Sequence, residues 1–238
     1  MRLLGIETAT AASSIALGEG RRLVAGAERV DRRGHEAFLV EALDFCFDQA
    51  GWKPDDVDAV VVDVGPGLFT GIRVGLATAQ GIAAAVGAPL VPAISLDALA
   101  VRAATGRRRI WPVVDVRKGE VAVASYRPVP GGVVKDGSPQ LMTPDHFRAL
   151  LEADLEEALV VGDWEGLPDS VLRGLQLVRT GRPRYPSAEA LLELVVQRVE
   201  REEFPRPEEV RPLYLREPDA QIDWKQFREE GGWQREAG

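Results

Sequence analysis

Sulfur and imidazole are scarce in this chain. Its 238 residues include one cysteine, two methionines and two histidines. A lone thiol, Cys46, excludes a disulfide framework within the chain and fits a reducing compartment. Flanked by Phe45 and Phe47 in a helical pattern, it reads as a small core residue rather than a nucleophile. His35 and His146 lie far apart in sequence, whereas a closed or catalytic transition-metal site needs three or four convergent ligands. No metal site is therefore expected, and no Ser/His/Asp set is suggested by spacing. Positive charge is also short. Against 37 Asp and Glu stand 29 Lys and Arg, a formal net charge of −8, which argues against the chain binding nucleic acid by itself, because phosphate binding needs clustered cations. The one basic run, Arg107-Arg108-Arg109, reads as a solvated loop after a helix. The apolar stretch at the start is too short for a secretory signal and meets Glu7 at once, so a cytoplasmic protein is expected.

What is present is enough apolar sequence, 45% of residues, for one large domain or two small ones. Residues Leu3–Glu7, Ser13–Leu17 and Leu23–Val30 read as strands and Gly34–Gly51 as a helix. Val57–Val64, nearly continuous in Val and Ala, reads as a strand covered on both faces. A helix over Thr70–Val86, a strand over Pro89–Ile94 and a helix over Ser95–Thr105 complete the order β-β-β-α-β-α-β-α. The second half repeats it. Strands Ile110–Val116 and Glu120–Arg127 join at Arg117-Lys118-Gly119, and a weak third strand ends over Val133–Gly137. Then come a helix over Pro144–Ala153, a strand over Ala158–Gly162, a poor helix over Leu167–Gly174, a short strand over Leu175–Arg179 and a clear helix over Ala188–Glu203. Such repetition constrains the fold strongly. It points to an α/β protein with two tandem subdomains, 1–105 and 106–217, of the actin-like type found in sugar kinases and Hsp70, the ASKHA fold. A polar tail occupies 218–238.

The most specific stretch is Gly65-Pro66-Gly67-Leu68-Phe69-Thr70-Gly71-Ile72-Arg73-Val74-Gly75, which joins a buried strand to a helix. Thr70 is placed to cap that helix, and such a helix start can hold an anion. No Gly-Lys-Ser/Thr follows, so this is not a Walker loop. Two roles stay open: a turn that positions a helix, and direct contact with a nucleotide. The helix that follows is unusual, because from Val74 to Leu96 there is no charged residue. A helix on one face of a sheet normally shows a polar side to water. Either more of the same chain covers this one or another protein does. Thr78, Gln80, three glycines and Pro89 argue against a membrane span. The small residues Gly71, Gly75, Thr78 and Ala79 suit the close approach of another backbone. On the preceding helix Phe38, Leu39, Ala42, Leu43, Phe45, Cys46, Phe47 and Ala50 spread over about half the circumference, wider than the roughly 100° a one-sided helix needs. Together the two helices form a candidate docking face, and self-association through it would be isologous.

These residues resemble a known family. The Gly65–Gly75 stretch is similar to the Gly-Pro-Gly-Ser-Phe-Thr-Gly-Leu-Arg signature of the TsaB (YeaZ) family, with Leu68 in place of the usual Ser. Leu4–Thr10 resembles the family's first strand, with Glu7 where Asp is commoner. His35-Glu36 resembles its His-Ser-Glu, Asp115–Val121 its Asp-Ala-Arg-Arg-Glu-Val-Tyr hairpin, and Pro212–Arg216 its closing Pro-x-Tyr-x-Arg. The resemblance implies an actin-like fold and a non-catalytic subunit. It would pair through a helical bundle with TsaD, a homologous catalytic subunit, and would act with TsaE in forming threonylcarbamoyladenosine in tRNA. It also implies a homodimer through the same surface when alone. The histidine pair that binds metal in the catalytic relative has no counterpart in Ser95–Ala100. The partner-binding residues expected on this basis are His35, Phe38, Leu39, Ala42, Cys46, Phe69, Thr70, Gly71, Arg73, Val74, Gly75, Thr78, Ala79 and Ile82. Glu7, Asp115, Arg117 and Lys118 are candidates for contact with a nucleotide or a partner. No cofactor of the chain's own is expected; ATP or ADP would sit at the partner interface, tRNA would be met only indirectly, and no membrane is involved. The alternative is an actin-like ATP-dependent phosphotransferase.

Overall fold

The structure, a computed structural model, describes residues 1–31 and 34–216; the tail expected over 218–238 lies outside the described residues. The first half runs β1 (Arg2–Glu7), β2 (Ala12–Glu19), β3 (Arg22–Val30), α1 (His35–Ala50), β4 (Ala59–Asp63), α2 (Phe69–Val86), β5 (Leu90–Ala93) and α3 (Ser95–Ala103). The second runs β6 (Arg109–Asp115), β7 (Val121–Val129), β8 (Gly132–Met142), α4 (Pro144–Ala153), β9 (Ala158–Gly162), α5 (Asp169–Leu172), β10 (Val178–Thr180) and α6 (Ala188–Glu200). Each half builds a five-stranded sheet with the same order, β3-β2-β1-β4-β5 and β8-β7-β6-β9-β10. In each, the first three strands form an antiparallel meander and the last two join parallel to the first. The repeated element order read from the sequence is thus present.

Period-two alternation divides the strands between two faces. From β1 and β4, Leu4, Ile6, Val60 and Val62 turn toward α1 and α2, whereas Leu3, Ala59 and Val61 turn toward α6. From β6, Trp111 and Val113 meet Phe147 and Leu151 of α4, while Ile110 and Val114 meet α3. Sheets buried on both faces explain the unbroken apolar runs. The last helix of each half lies on the other half's sheet. Leu96, Leu99, Ala100 and Ala103 of α3 pack on Ala124, Tyr126 and Val161, and Leu191, Leu192, Val195 and Val199 of α6 pack on Leu3, Ala16 and Val91. Arg102 of α3 pairs with Glu189 and Glu193 of α6, so the two helices form one layer between the sheets.

Several local expectations are corrected. Leu68, with extended backbone, stands at the N-cap of α2, and no side chain caps the helix; Thr70 already lies inside its first turn. The helix expected over Leu167–Gly174 shrinks to Asp169–Leu172, because Pro168 forces Leu167 out of the helical region. The strand expected over Leu175–Arg179 is Val178–Thr180. The weak third strand of the second half is 11 residues long. Its Gly137, at φ 85°, sits at an irregularity where the pairing shifts between Val123 and Ser125, which glycine accommodates without a Cβ clash.

The join between β1 and α2 is the tightest contact described. A Cβ built on Gly67 would lie 2.0 Å from the Ala9 carbonyl oxygen, one on Gly71 2.0 Å from that of Thr8, and one on Gly75 2.3 Å from Thr8 Oγ1. Gly81 of the same helix has nothing within 4 Å. Gly71→Ala is therefore expected to destabilise the protein by at least about 2 kcal/mol through overpacking. Gly81→Ala should stabilise it by about 0.5–1 kcal/mol by removing backbone entropy from the unfolded chain. Denaturant unfolding of both variants checks this; equal effects would show that the close approach is not a constraint.

Candidate partner-docking site

Helices α1 and α2 lie side by side on the face of the first sheet opposite α6, α1 over β2 and β3 and α2 chiefly over β4. The inward side of α1 is Phe38, Leu39, Ala42 and Cys46, and that of α2 is Gly71, Ile72, Gly75, Leu76, Ala79 and Ala83. Each large apolar side chain buried there contributes about 1.5–3 kcal/mol relative to exposure. Burial pushes the Cys46 thiol up to about 11, because a thiolate is poorly solvated among apolar groups.

The start of α2 is fixed by the β1–β2 turn. The Leu68 N–H donates to the Ala9 carbonyl at 2.6 Å, and Thr8 Oγ1 donates to the Gly71 carbonyl at 2.7 Å. Residues 67, 71 and 75 are spaced by four, so they stand in one line along this helix and the turn before it. That line is turned inward. The expectation that Gly71, Gly75 and Ala79 admit another chain's backbone is corrected on this point: Thr8 fills the space beside the two glycines, and Ala79 is fully buried. Leu39, Ala42 and Cys46 are likewise enclosed by the chain's own core. Phe38 and His35 sit just inside the surface at 9% exposure. His35 Nδ1 is hydrogen-bonded to Ser13 Oγ, and burial holds its imidazole below the usual range.

What reaches solvent is a different stripe. On α2, Phe69, Thr70, Arg73, Ala77, Gln80, Gly81, Ala84 and Ala85 are exposed, with Val74, Thr78 and Ile82 half-buried beside them. Arg73 is the single charge on the helix. Its guanidinium lies 3.8 Å over the Phe69 ring, and its Nε donates to Tyr214 Oη at 3.0 Å. Phe69 and Tyr214 stack with ring centroids 5.3 Å apart. On α1, Val40 at 66% and Phe45 at 51% exposure are large apolar side chains facing water. Around them stand the exposed acids Glu36, Glu41, Asp44 and Asp48. The face thus carries a single charge, Arg73, along α2 and is acidic along α1.

The candidates from the second half meet this region at one point. Arg117, Lys118 and Gly119 take successive left-handed conformations, φ 69°, 58° and 74°, and the Arg117 N–H donates to Asp115 Oδ1 at 2.8 Å. Arg117 lines a cavity of about 440 Å³ with His35, Glu36, Phe69, Thr70 and Val74. The closing segment straps the halves together: Leu213 N–H donates to the Val64 carbonyl at 2.7 Å, and Arg216 pairs with Glu120. Glu7 is fully buried and lies apart from this surface. His146 is exposed on α4, its N–H donating to Thr143. Among the described residues no three His, Cys, Asp or Glu side chains converge as metal ligands. A larger cavity of about 960 Å³ opens between β2–β3 and the loop before α6, lined by Glu28, Arg102, Arg182 and Arg184, and none of the sequence-derived candidates lines it. By length and composition α2 passes for a membrane span, but its inner face is packed on β1 and β4.

Sequence reasoning missed the Phe69–Arg73–Tyr214 cluster. The Pro-x-Tyr-x-Arg spacing marked Tyr214 and Arg216, but nothing in it tells which helix the tyrosine meets. It also missed that Glu7 and Asp63 end neighbouring parallel strands, both buried.

Two mixed sheets of identical order, with the last helix of each half packed on the other half's sheet, define an actin-like α/β protein. A model of the TsaD family, tRNA N6-adenosine threonylcarbamoyltransferase, matches residues 29–146. The tRNA threonylcarbamoyladenosine biosynthesis protein TsaB of Escherichia coli is 29% identical over 231 residues, covering 95% of this chain and 98% of that one. A solved Pseudomonas aeruginosa structure described as similar to the peptidase YeaZ is 30% identical with a TM-score of 0.79, over 90% of this chain and 99% of that one. YeaZ from the same organism superposes with a TM-score of 0.76 at 29% identity, with the same coverage. The chain belongs to the TsaB (YeaZ) family.

The buried thiol provides a check on this side of the molecule. Cys46 in the native protein should react with a disulfide reagent at pH 8 no faster than global unfolding allows, and at the rate of a free thiol once denatured. Rapid native labelling would mean that α1 does not lie down on the sheet.

Proposed function

We propose that this chain is a non-catalytic subunit of the cytoplasmic machinery that makes threonylcarbamoyladenosine in tRNA, and that it binds and activates a TsaD-type transferase. The observation that carries the reading is the outer face of α2: an 18-residue helix with one charge, at Arg73, whose exposed residues beyond Arg73 are Ala77, Gln80, Gly81, Ala84 and Ala85. Small side chains there let a partner helix approach to the roughly 8 Å end of the interaxial range. Phe45 and Val40 supply larger anchors, and the acids of α1 form a rim suited to a basic partner edge. Of the residues expected to bind the partner, Phe69, Thr70, Arg73, Val74, Thr78 and Ile82 have surface to offer; the buried ones support the helices from beneath. A second copy of the chain would use the same face when the transferase is absent. TsaE and any ATP or ADP at the interface belong to the assembled complex, and tRNA is met through the catalytic subunit.

Kinase-like chemistry has less support. Thr8, Ala9, Thr10 and Ala11, the turn between the first two strands, are buried, and Thr8 and Ala9 are already hydrogen-bonded to the start of α2. A phosphate could reach them only if α2 moved away.

Charge on the exposed stripe is the direct test. Ala77→Glu and Ala84→Glu should each weaken binding of the TsaD-type partner by at least about 30-fold, the loss of a central contact worth 2 kcal/mol or more. Both should leave thermal unfolding of the isolated chain unchanged and abolish tRNA modification in a reconstituted assay. Unaltered affinity would overturn the placement of the interface.

A further inference from the structure

Two acids lie in the interior, and among the described residues no cation pairs with either. Glu7 ends β1 and Asp63 ends β4, and both are buried, at 0% and 1% exposure. The strands are parallel neighbours, with Ile6 opposite Val62. Glu7 therefore stands beside Asp63 one residue further on, with both side chains on the same face of strands whose backbones lie about 4.8 Å apart. That face carries Leu3, Ala59 and Val61 and is turned to the layer of α6 and α3.

The hydrogen bonds divide unevenly. Asp63 Oδ1 accepts from the Gly65 N–H at 2.7 Å and from Ser95 Oγ at 2.8 Å. Glu7 Oε1 accepts from the Ala9 N–H at 2.7 Å. The remaining oxygens, Glu7 Oε2 and Asp63 Oδ2, are buried and have no hydrogen-bond partner among the described residues. Two ionised carboxylates here would place like charges side by side in a poorly solvating interior, each with an unsatisfied oxygen, a costly arrangement. One proton removes both faults, since Oε2–H of Glu7 can donate to Oδ2 of Asp63. The proton belongs on Glu7, because more donors converge on Asp63 and hold it as the anion.

We infer that Glu7 and Asp63 share one proton at neutral pH and form a pH-sensitive latch at the foot of the Gly65–Gly75 loop. Asp63 is the common acceptor for the loop, through Gly65, and for the first residue of α3, through Ser95. Loss of the proton therefore loosens the loop that carries α2 and the helix that crosses to the second sheet. Burial and the charge of Asp63 raise the Glu7 carboxyl well above the carboxylate range, and burial also raises that of Asp63. The other charges acting on the pair reinforce this: Glu28 of β3 on Glu7, and Asp97 of α3 on Asp63. Asp97 is itself bonded to Tyr126 Oη at 2.5 Å and Lys135 Nζ at 2.7 Å. No cation intervenes from the packed helices. His35 of α1 is engaged with Ser13, and Arg73, the one charge of α2, lies at the surface over Phe69. The sheet-facing residues of α6 are apolar, while its acids Glu189 and Glu193 meet Arg102 and its Arg198 donates to the Pro92 carbonyl.

The sign follows from linkage. A carboxyl whose folded pKa is raised binds its proton more tightly in the native state, so the stability it contributes is complete below the ordinary carboxylate range. That contribution declines as pH rises above that range and is lost once pH passes the raised folded value. Infrared spectroscopy of the whole protein at pH 7 should show the carbonyl stretch of a buried protonated carboxyl that disappears as the pH is raised. Glu7→Gln should lack that band, because its amide donates to an ionised Asp63. The melting temperature of the native chain should fall between pH 5.5 and 8.5 by at least about 3 °C more than that of Glu7→Gln, the shift expected for one pKa unit in a chain of this size. Asp63→Asn serves as a second variant: burial still raises Glu7 but the neighbouring charge is gone, so the band should disappear at a lower pH than in the native protein. Absence of a protonated carboxyl in the native protein at pH 7 overturns the inference whether or not the variants fold, as does a band that survives in Glu7→Gln.

Discussion

The close approach of α2 to the first β-turn is the constraint on which the architecture rests. Three glycines at intervals of four remove every side chain from one line of the helix and the turn before it, and the backbone and hydroxyl of Thr8 and the carbonyl of Ala9 occupy the vacated space. The contact fixes where the helix begins, how it rotates about its axis, and so which residues it shows to water. Had any of the three carried a Cβ, the helix would have to lift, and the inner face of Ile72, Leu76 and Ala83 would lose its fit to β1 and β4. The motif that looks like a ligand loop is first of all a packing device.

That rotation explains an apparent paradox. A helix with one charge in 18 residues on a sheet surface suggests a missing cover, and its smallest residues suggest where that cover would lie. The sheet has already claimed the glycines. What remains outside is a stripe of alanine, glycine and glutamine, bounded at one end by the Phe69–Arg73–Tyr214 stack and along its flank by the acids of α1. Small and neutral side chains leave a helix backbone near the surface, where another helix can lie against it with little desolvation of charge. The proposed docking stripe and the glycine line packed on the first turn thus lie on opposite sides of one helix, and both rest on small residues for the same steric reason.

The second organising feature is the exchange of α3 and α6 between the halves. Each sheet is completed by a helix from the other end of the repeat, and Asp97, Tyr126 and Lys135 tie α3 to its adopted sheet. Asp63 sits where this layer meets the Gly65–Gly75 loop. A buried acid pair at that junction couples the loop, the crossing helix and the first strand through a few hydrogen bonds, so its protonation bears on all three.

Element order and the repeat were legible in the sequence, because alternation and helical periodicity are local signals that survive without knowledge of neighbours. Turn chemistry was legible too, as in the glycine and proline punctuation. The family resemblance rested on the Gly65–Gly75 stretch. The exchange of helices, the inward turn of Gly71, Gly75 and Ala79, the stacking of Tyr214 on Phe69 across 145 positions of chain and the pairing of Glu7 with Asp63 came only from the tertiary structure. Composition shows that a helix has small residues, but which side they occupy depends on what the sheet presents to it, and that is set by residues distant in the chain.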